Sequence, residues 1–319
     1  MEYVKLGNSD LKVSRLCLGC MSFGEADMGP YEWTLPYEQS YKIIHQAYEA
    51  GINFFDTSNN YSAGSSEIFL GKAIKVLNRK DIVIATKCYF NEGKLSYDAI
   101  HTQISNSLKR LDTDYIDLYI LHRYDYDTPV EDTLKALNEE IQAGRIHNYG
   151  VSSMYGHQLA EYCYKAKELD YKPFTTLQNH YSLIYREDER DLIPVAKQFG
   201  MSRTPFAPFA AGRLARKDWV SDSKRYTLDS KEGTRYDKSE EYDKKIAERV
   251  YDISLKYNCS MANICLAWEF VKGNDCVLIG ITKNKYLDDA LNCFNIKLTP
   301  EDIEYLEELY IPHEITCNR

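Results

Sequence analysis

Four residues of this chain have the types and the placement for moving a proton onto a polarised oxygen: Asp56, Tyr61, Lys87 and His122. Asp56 closes the apolar run Ile-Asn-Phe-Phe, Lys87 closes Ile-Val-Ile-Ala-Thr, and His122 closes Ile-Asp-Leu-Tyr-Ile-Leu. Tyr61 stands five residues beyond Asp56. Singly, each has an ordinary structural reading: a capping aspartate, a snorkelling surface lysine, a loop aromatic and a hydrogen-bonded strand-end histidine. Jointly they form an acid, an ammonium and an imidazole at the ends of three successive strands. A neighbouring ammonium favours a phenolate, and a carboxylate partner keeps a desolvated ammonium charged. The histidine can donate to a carbonyl oxygen and orient it. Such a set delivers a proton, a contribution of about 10² to 10⁴ in rate. It supplies neither a covalent nucleophile nor a metal, so the carbon must receive hydride from elsewhere, and the usual donor is a reduced nicotinamide.

Such a meeting needs elements that bring strand ends together. The apolar runs 52–55, 82–85, 116–121 and 277–279 are consecutive rather than alternating, as in parallel strands covered on both sides. Between them lie helix-period stripes: Leu70, Ala73, Ile74, Leu77; Val130, Leu134, Leu137, Ile141; Leu287, Ala290, Leu291, Phe294. Gly51 and Gly144 stand where helix C-caps are wanted. About eight such units in series predict an α/β fold, a (β/α)8 TIM barrel, with its chemistry at the C-terminal mouth. Two strands, at 174–178 and 201–205, are placed by the rhythm of the repeat, because the first is of mixed polarity and the second is too polar to be marked by hydrophobicity. A Rossmann sheet is disfavoured by the missing glycine fingerprint.

With 319 residues, 44% hydrophobic and 27% charged, the chain is long enough to need no disulfide or metal staple. A net charge of -9 offers no footprint for nucleic acid. No apolar run of about 18 residues predicts a membrane span, and the first residues do not resemble a secretory leader, so a cytoplasmic location is expected. The nine cysteines, from Cys17 to Cys317, read as buried free thiols, since Cys17 and Cys20 have no second pair to complete a zinc site; no metal is expected. The polar stretch 217–245 reads as a solvated loop or as a flap over a charged ligand.

The segments GINFFDTSNNYSAGSSE, IATKCYF, TDYIDLYILHRYDYDTP, YGVSSM, LQNHYSLIYRE and the tail from Val277 to Tyr310 resemble the aldo-keto reductases. The nearer likeness is to the branch of bacterial and fungal enzymes that also contains the potassium-channel beta subunits. The resemblance runs from about residue 3 to 312. It implies a single barrel domain over 1–319, with a short N-terminal β-hairpin and an extra C-terminal helix. It also implies Asp56, Tyr61, Lys87 and His122 as the catalytic set, with Tyr61 the proton donor.

For the cofactor, the resemblance implies Ser152 and Gln178 at the carboxamide and Phe206 stacked on the nicotinamide. Pro208, Gly212 and Leu214 fall in the pyrophosphate loop, Lys217 and Arg225 at the phosphates, and Gly280, Thr282, Lys283 and Asp289 at the adenosine end. NADPH is the expected cofactor, with NADH a lesser option. Three departures stand out. Tyr286 occupies the place of an arginine that reads the 2′-phosphate, Ala207 replaces a serine, and the seventh strand reads Met-Ser-Arg-Thr, with Arg203, where the family has apolar residues. The mouth aromatics Trp33, Tyr89, Phe90 and Tyr124 are expected to favour flat or apolar aldehydes and ketones, although Arg123 and Arg186 offer a carboxylate partner. The expected activity is NADPH-dependent reduction of a small carbonyl compound. The alternatives are a cofactor-sensing regulatory subunit with little turnover, and a cofactor-free hydrolase or lyase using Asp56 and His122. No oligomeric state is assigned.

Overall fold

The computed structural model describes residues 1–29, 31–219, 223–229 and 236–316. Ten strands are present among them. β1 (Tyr3–Lys5) and β2 (Lys12–Ser14) form the expected antiparallel hairpin. The other eight form one parallel sheet: β3 (Leu16–Gly19), β4 (Phe54–Asp56), β5 (Val83–Cys88), β6 (Ile116–Leu121), β7 (Ile146–Ser152), β8 (Thr176–Gln178), β9 (Ser202–Arg203) and β10 (Val277–Gly280). β10 pairs with β3, and the amide of Leu278 donates to Pro205 O at 3.0 Å, joining the two sheet edges into a barrel.

Helices cover the outside, and the predicted stripes are their buried faces. Leu70, Ala73 and Ile74 lie on Ser65–Ile74, Val130, Leu134 and Leu137 on Val130–Gln142, and Leu287 and Ala290 on Asn284–Leu291. Gly51 and Gly144, at φ of 90° and 71°, end two helices in the left-handed region that glycine enters without a Cβ penalty. The extra C-terminal helix, Pro300–Glu307, starts at a reciprocal Thr299–Asp302 capping box.

The barrel interior is filled by Cys17, Phe54, Val83, Ala85, Leu118, Ile120, Cys276 and Leu278, and the hairpin adds Leu6 and Val13 to that cluster. Successive strand residues point to opposite faces. Continuing that alternation by one step puts Asp56 after Phe54, Lys87 after Ala85 and His122 after Ile120. Pairing Asp56↔Ala85 and Lys87↔Ile120 fixes their relative heights.

The polar seventh barrel strand has a physical explanation. Arg203 is in register with Leu177, whose side chain belongs to the sheet–helix core, so Arg203 also faces the helix layer. Its Nη2 donates to Lys272 O at 2.5 Å and its amide donates to Asp275 Oδ2 at 2.9 Å. It also lends positive charge to the fully buried Glu269, whose carboxyl is raised well above the usual range by burial. Ser202 Oγ accepts the Gly7 amide at 2.7 Å, tying β9 to the hairpin.

The stretch 217–245 is not a continuous loop. A short helix, Lys224–Leu228, lies within it, and the long helix Glu240–Lys256 begins there. Residues 220–222 and 230–235 of it lie outside the described residues.

Candidate active site

Asp56, Lys87, Tyr61 and His122 converge at the C-terminal mouth. Lys87 is fully buried, and its Nζ donates to Asp56 Oδ1 at 2.6 Å, Thr57 O at 2.8 Å and Tyr61 Oη at 3.2 Å. Burial alone would drive the proton off Lys87; the Asp56 carboxylate and Tyr61 more than offset it and hold the ammonium above its ordinary pKa. Asp56 Oδ2 accepts from Gln178 Nε2 at 2.8 Å, so both carboxylate oxygens have a partner. A buried ion pair with its remaining lone pairs satisfied is the arrangement under which two charges persist away from water.

The Tyr61 phenol departs from the simplest expectation. Burial raises its pKa and Lys87 pulls it down, and the balance lies above an ordinary phenol. Tyr61 is therefore a protonated acid at neutral pH, with the ammonium 3.2 Å away to stabilise the phenolate left after donation. The ring of His122 stands edge-on to Tyr61 with centroids 6.0 Å apart. Burial, then Lys87 and Arg123, hold the imidazole well below its usual pKa, so it is neutral. Its Nδ1 lies 3.3 Å from Ser58 Oγ. The Ser58 hydroxyl also has Asn60 Oδ1 as an acceptor at 3.0 Å; with its proton turned to Nδ1 instead, the imidazole proton is on Nε2, where it serves as a donor to an oxygen.

The residues matched to a cofactor lie around the same mouth. Ser152 and Gln178 are paired across β7 and β8. Phe206 is half-buried and lies parallel to His180 with centroids 5.5 Å apart. Gly212 has φ of 93° and follows Ala210 and Ala211, also at positive φ, a turn that brings backbone close to whatever it faces. Pro208 is buried, and Leu214 is a core residue that can reach a ligand only through its backbone. Lys217 rests its ammonium 4.7 Å from the Tyr251 ring. Arg225 lies 4.7 Å over Trp33, joining the Lys224–Leu228 helix to the loop after β3. Gly280 and Lys283 are exposed and Thr282 is half-buried, while Asp289 accepts from Asn263 Nδ2 at 3.1 Å.

Several features suit a nicotinamide dinucleotide. The acceptor Oδ1 of Asn179, next to Gln178, is buried without a partner among the described residues, as a carboxamide N–H would require. The helix Asn284–Leu291 begins at Lys283 with no side-chain cap among the described residues; the Tyr286 amide turns back to Lys283 O at 2.9 Å, which leaves the start of the helix to Asn284 and Lys285 as the amides an anion can meet. Tyr286, standing in place of the arginine, has the ammonium groups of Lys283 and Lys285 at 5.9 and 5.5 Å from its ring.

The aromatic set separates. Phe90 is half-exposed and meets the His122 ring at 5.2 Å, with Arg123 at 5.5 Å over its other neighbourhood. Tyr89 packs edge-on against Phe90 at 5.1 Å. Tyr124 instead bonds Glu161 at 3.1 Å and packs on Tyr162, and Trp33 is 3% exposed. Arg186 is engaged by Glu189 at 3.0 Å and Glu307 at 2.9 Å. Thr57, Ser58 and Asn179 have no signal of their own in the sequence, since a loop hydroxyl or amide is aperiodic, and Lys285 reads as one exposed helix lysine among many.

The family model described as "Aldo/keto reductase family" matches residues 15–311. The chain belongs to the aldo/keto reductase family. A protein of Schizosaccharomyces pombe provisionally named as an aryl-alcohol dehydrogenase is 38% identical, covering 97% of this chain and 96% of its own. Versiconal hemiacetal acetate reductase of Aspergillus parasiticus is 37% identical, covering 99% and 98%. The crystal structure of the thermostable aldo-keto reductase Tm1743 with the inhibitor epalrestat superposes with a TM-score of 0.80 at 26% identity, covering 97% of this chain and 100% of that one. This aldo-keto reductase is thus an oxidoreductase of a family that acts on small carbonyl compounds and uses nicotinamide cofactors. Among the described residues no helix is long and apolar enough to cross a membrane, and no cluster of three or more His, Cys, Asp or Glu could hold a metal ion. The eight described cysteines are free, and Cys317 lies outside the described residues.

Proposed function

We propose that this chain is an NADPH-dependent reductase of aldehydes and ketones, with Tyr61 as proton donor. The observation that carries the reading is the buried chain Asp56–Lys87–Tyr61, with contacts of 2.6 and 3.2 Å, ending beside a neutral His122. When bound, the reduced nicotinamide supplies hydride to the carbonyl carbon. His122 orients the carbonyl oxygen, Tyr61 hands it the phenolic proton, and Lys87 stabilises the phenolate while Asp56 keeps Lys87 charged. Ser152, Gln178 and the unpartnered Asn179 Oδ1 would hold the carboxamide, and Phe206 the ring face. Lys217, Arg225 and Lys283, now with Lys285, would meet the phosphates, and that local charge is the basis for NADPH over NADH.

Phe90 beside His122 supports flat or apolar substrates, and the name of the Schizosaccharomyces relative points to aromatic ones. Trp33 and Tyr124, turned to other partners, have a smaller part in that surface than Phe90. The free thiols fit a reducing compartment, hence a cytoplasmic enzyme.

The test is NADPH and NADH consumption over aromatic, aliphatic and sugar aldehydes with Tyr61→Phe in parallel. Turnover by the wild type should fall about 10² to 10⁴-fold in the variant. Wild-type rates in Tyr61→Phe would remove Tyr61 from the role, and no nucleotide consumption on any carbonyl would remove the reductase reading.

A further inference from the structure

His180 is almost fully buried behind Phe206, and every part of its ring is used. One face lies parallel to Phe206 at 5.5 Å and 11°, the other parallel to Tyr185 at 4.1 Å and 16°. The backbone doubles the link, because His180 and Phe206 form a parallel bridge and the Phe206 amide donates to Asn179 O at 2.8 Å. The ring edges bond outward. Nε2 lies 2.8 Å from Tyr236 Oη, just ahead of the helix Glu240–Lys256, and Nδ1 lies 3.2 Å from Thr316 Oγ1 in the C-terminal tail.

Each of those partners is anchored again. The Tyr236 ring carries the Arg213 guanidinium at 4.9 Å, and Arg213 belongs to the Ala210–Ala215 turn matched to the pyrophosphate. Tyr185 Oη accepts the Thr316 amide at 2.9 Å. Further along the tail, His313 Nε2 lies 3.0 Å from Asp243 Oδ1 on the long helix, and the His313 amide donates to Glu187 Oε1 at 2.7 Å. The tail, the segment at Tyr236 and the Phe206 ring therefore meet at a single imidazole. Two stacked faces fix its plane and two hydrogen bonds fix its rotation within that plane.

We propose that His180 is a positioning residue for the bound dinucleotide, coupling the seating of the C-terminal tail and of Tyr236 to the plane of Phe206, so that a docked tail slows cofactor release. The inference rests on the reading of Phe206 as the face against the nicotinamide. His180 touches neither substrate nor cofactor; it acts through Phe206 on one side and through Tyr236 and Arg213 on the other.

The experiment measures the dissociation rate of NADPH by stopped-flow protein fluorescence in the full chain, alongside melting temperature and the KM for NADPH against kcat. Tyr236→Phe and Thr316→Val each delete one hydroxyl facing the imidazole. His180→Phe keeps an aromatic stack and deletes both bonds. Losing one such hydrogen bond should raise the dissociation rate about fivefold. KM for NADPH should rise without a matching fall in kcat. In the His180→Phe background, Tyr236→Phe and Thr316→Val should each add less than they do alone, since the bond each makes to the imidazole is already gone.

Dissociation rates within twofold of wild type in all three single variants would overturn the proposal. So would effects that add fully in the His180→Phe background, which would assign the two hydroxyls to local packing alone. If His180→Phe fails to fold, the Thr316→Val rate decides by itself, because that change lies on the half-exposed tail. Failure of the wild type to bind NADPH would overturn the Phe206 reading and this proposal with it, whereas binding with unchanged release would overturn this proposal only.

Discussion

At the residue scale the central fact is an ion pair taken out of water. Asp56 and Lys87 are 2% and 0% exposed, and neither would stay charged there alone. Removing one partner leaves the other buried and uncompensated, at a cost of about 3 to 5 kcal/mol. Lys87→Met should therefore lose stability by that amount as well as activity, and activity alone would confound the two effects. The double variant Asp56→Asn/Lys87→Met separates them. Replacing both charges should restore most of the lost stability in urea denaturation, while reduction stays depressed because Tyr61 has no ammonium beside it. Recovery of activity together with stability would mean that the pair is only structural. Ser58 offers a milder test at the same scale. Ser58→Ala frees His122 Nδ1 from its 3.3 Å neighbour and should lower kcat/KM through loss of the preferred tautomer, with melting temperature nearly unchanged. An unaltered kcat/KM would discard that role.

At the scale of elements, legibility in the sequence followed the register of the strands. β5 and β6 are apolar on their inward face and mostly so on the other, and the inward positions continue by twos into Lys87 and His122, so strand and site are legible in one pattern. β9 is legible only from the rhythm of the repeat, because its outward residue, Arg203, is matched to Lys272 O and Asp275 Oδ2 just past the helix Met261–Val271 rather than to a hydrophobic helix face. The layout of 217–245 is hidden for another reason: the helix Lys224–Leu228 is short, and the apolar stripe of Glu240–Lys256, Ile246, Ala247, Val250 and Ile253, begins only past residue 245. His180 carried no signal at all: its stacking partners, Phe206 and Tyr185, are distant or aperiodic in sequence.

The turn after β8 carries a prediction of its own. Asp188 is 6% exposed, and burial, reinforced by Asp191 and Glu187, raises its pKa to about 7 although Asn179 Nδ2 donates to it at 2.9 Å. A carboxyl whose folded value exceeds its unfolded value contributes stability fully below the unfolded value, and loses it as pH rises through the folded one. The window thus runs from about 4 to about 7. Asp188→Asn, which never ionises, should gain on the wild type across that window by at most about 4 kcal/mol, at about 1.4 per pKa unit, and hold a constant lead above it. Parallel stability curves for the two proteins from pH 4 to 8 would refute the assignment.

At the scale of the whole molecule, a chain with a net charge of -9 must bind a multiply charged anion against its own field. Binding therefore depends on where the cations are gathered rather than on their number. The gathering at the proposed adenosine end is Lys283 and Lys285, both within 6 Å of the Tyr286 ring, at the start of Asn284–Leu291. The Tyr286 ring holds both ammonium groups near the helix start, the arrangement that would read a 2′-phosphate without an arginine. A ligand that binds only the folded state stabilises it by about 2.7 kcal/mol at a hundred times its Kd. NADP⁺ at such a concentration should raise the melting temperature, and the same concentration of NAD⁺ should raise it less. Lys283→Met should bring the two shifts together by weakening only the NADP⁺ response, and added salt should do the same because the contact is exposed and screened. Equal shifts for both nucleotides in the wild type would remove the preference for NADPH. A preference that survives both Lys283→Met and high salt would move 2′-phosphate recognition from this helix start to Lys217 and Arg225.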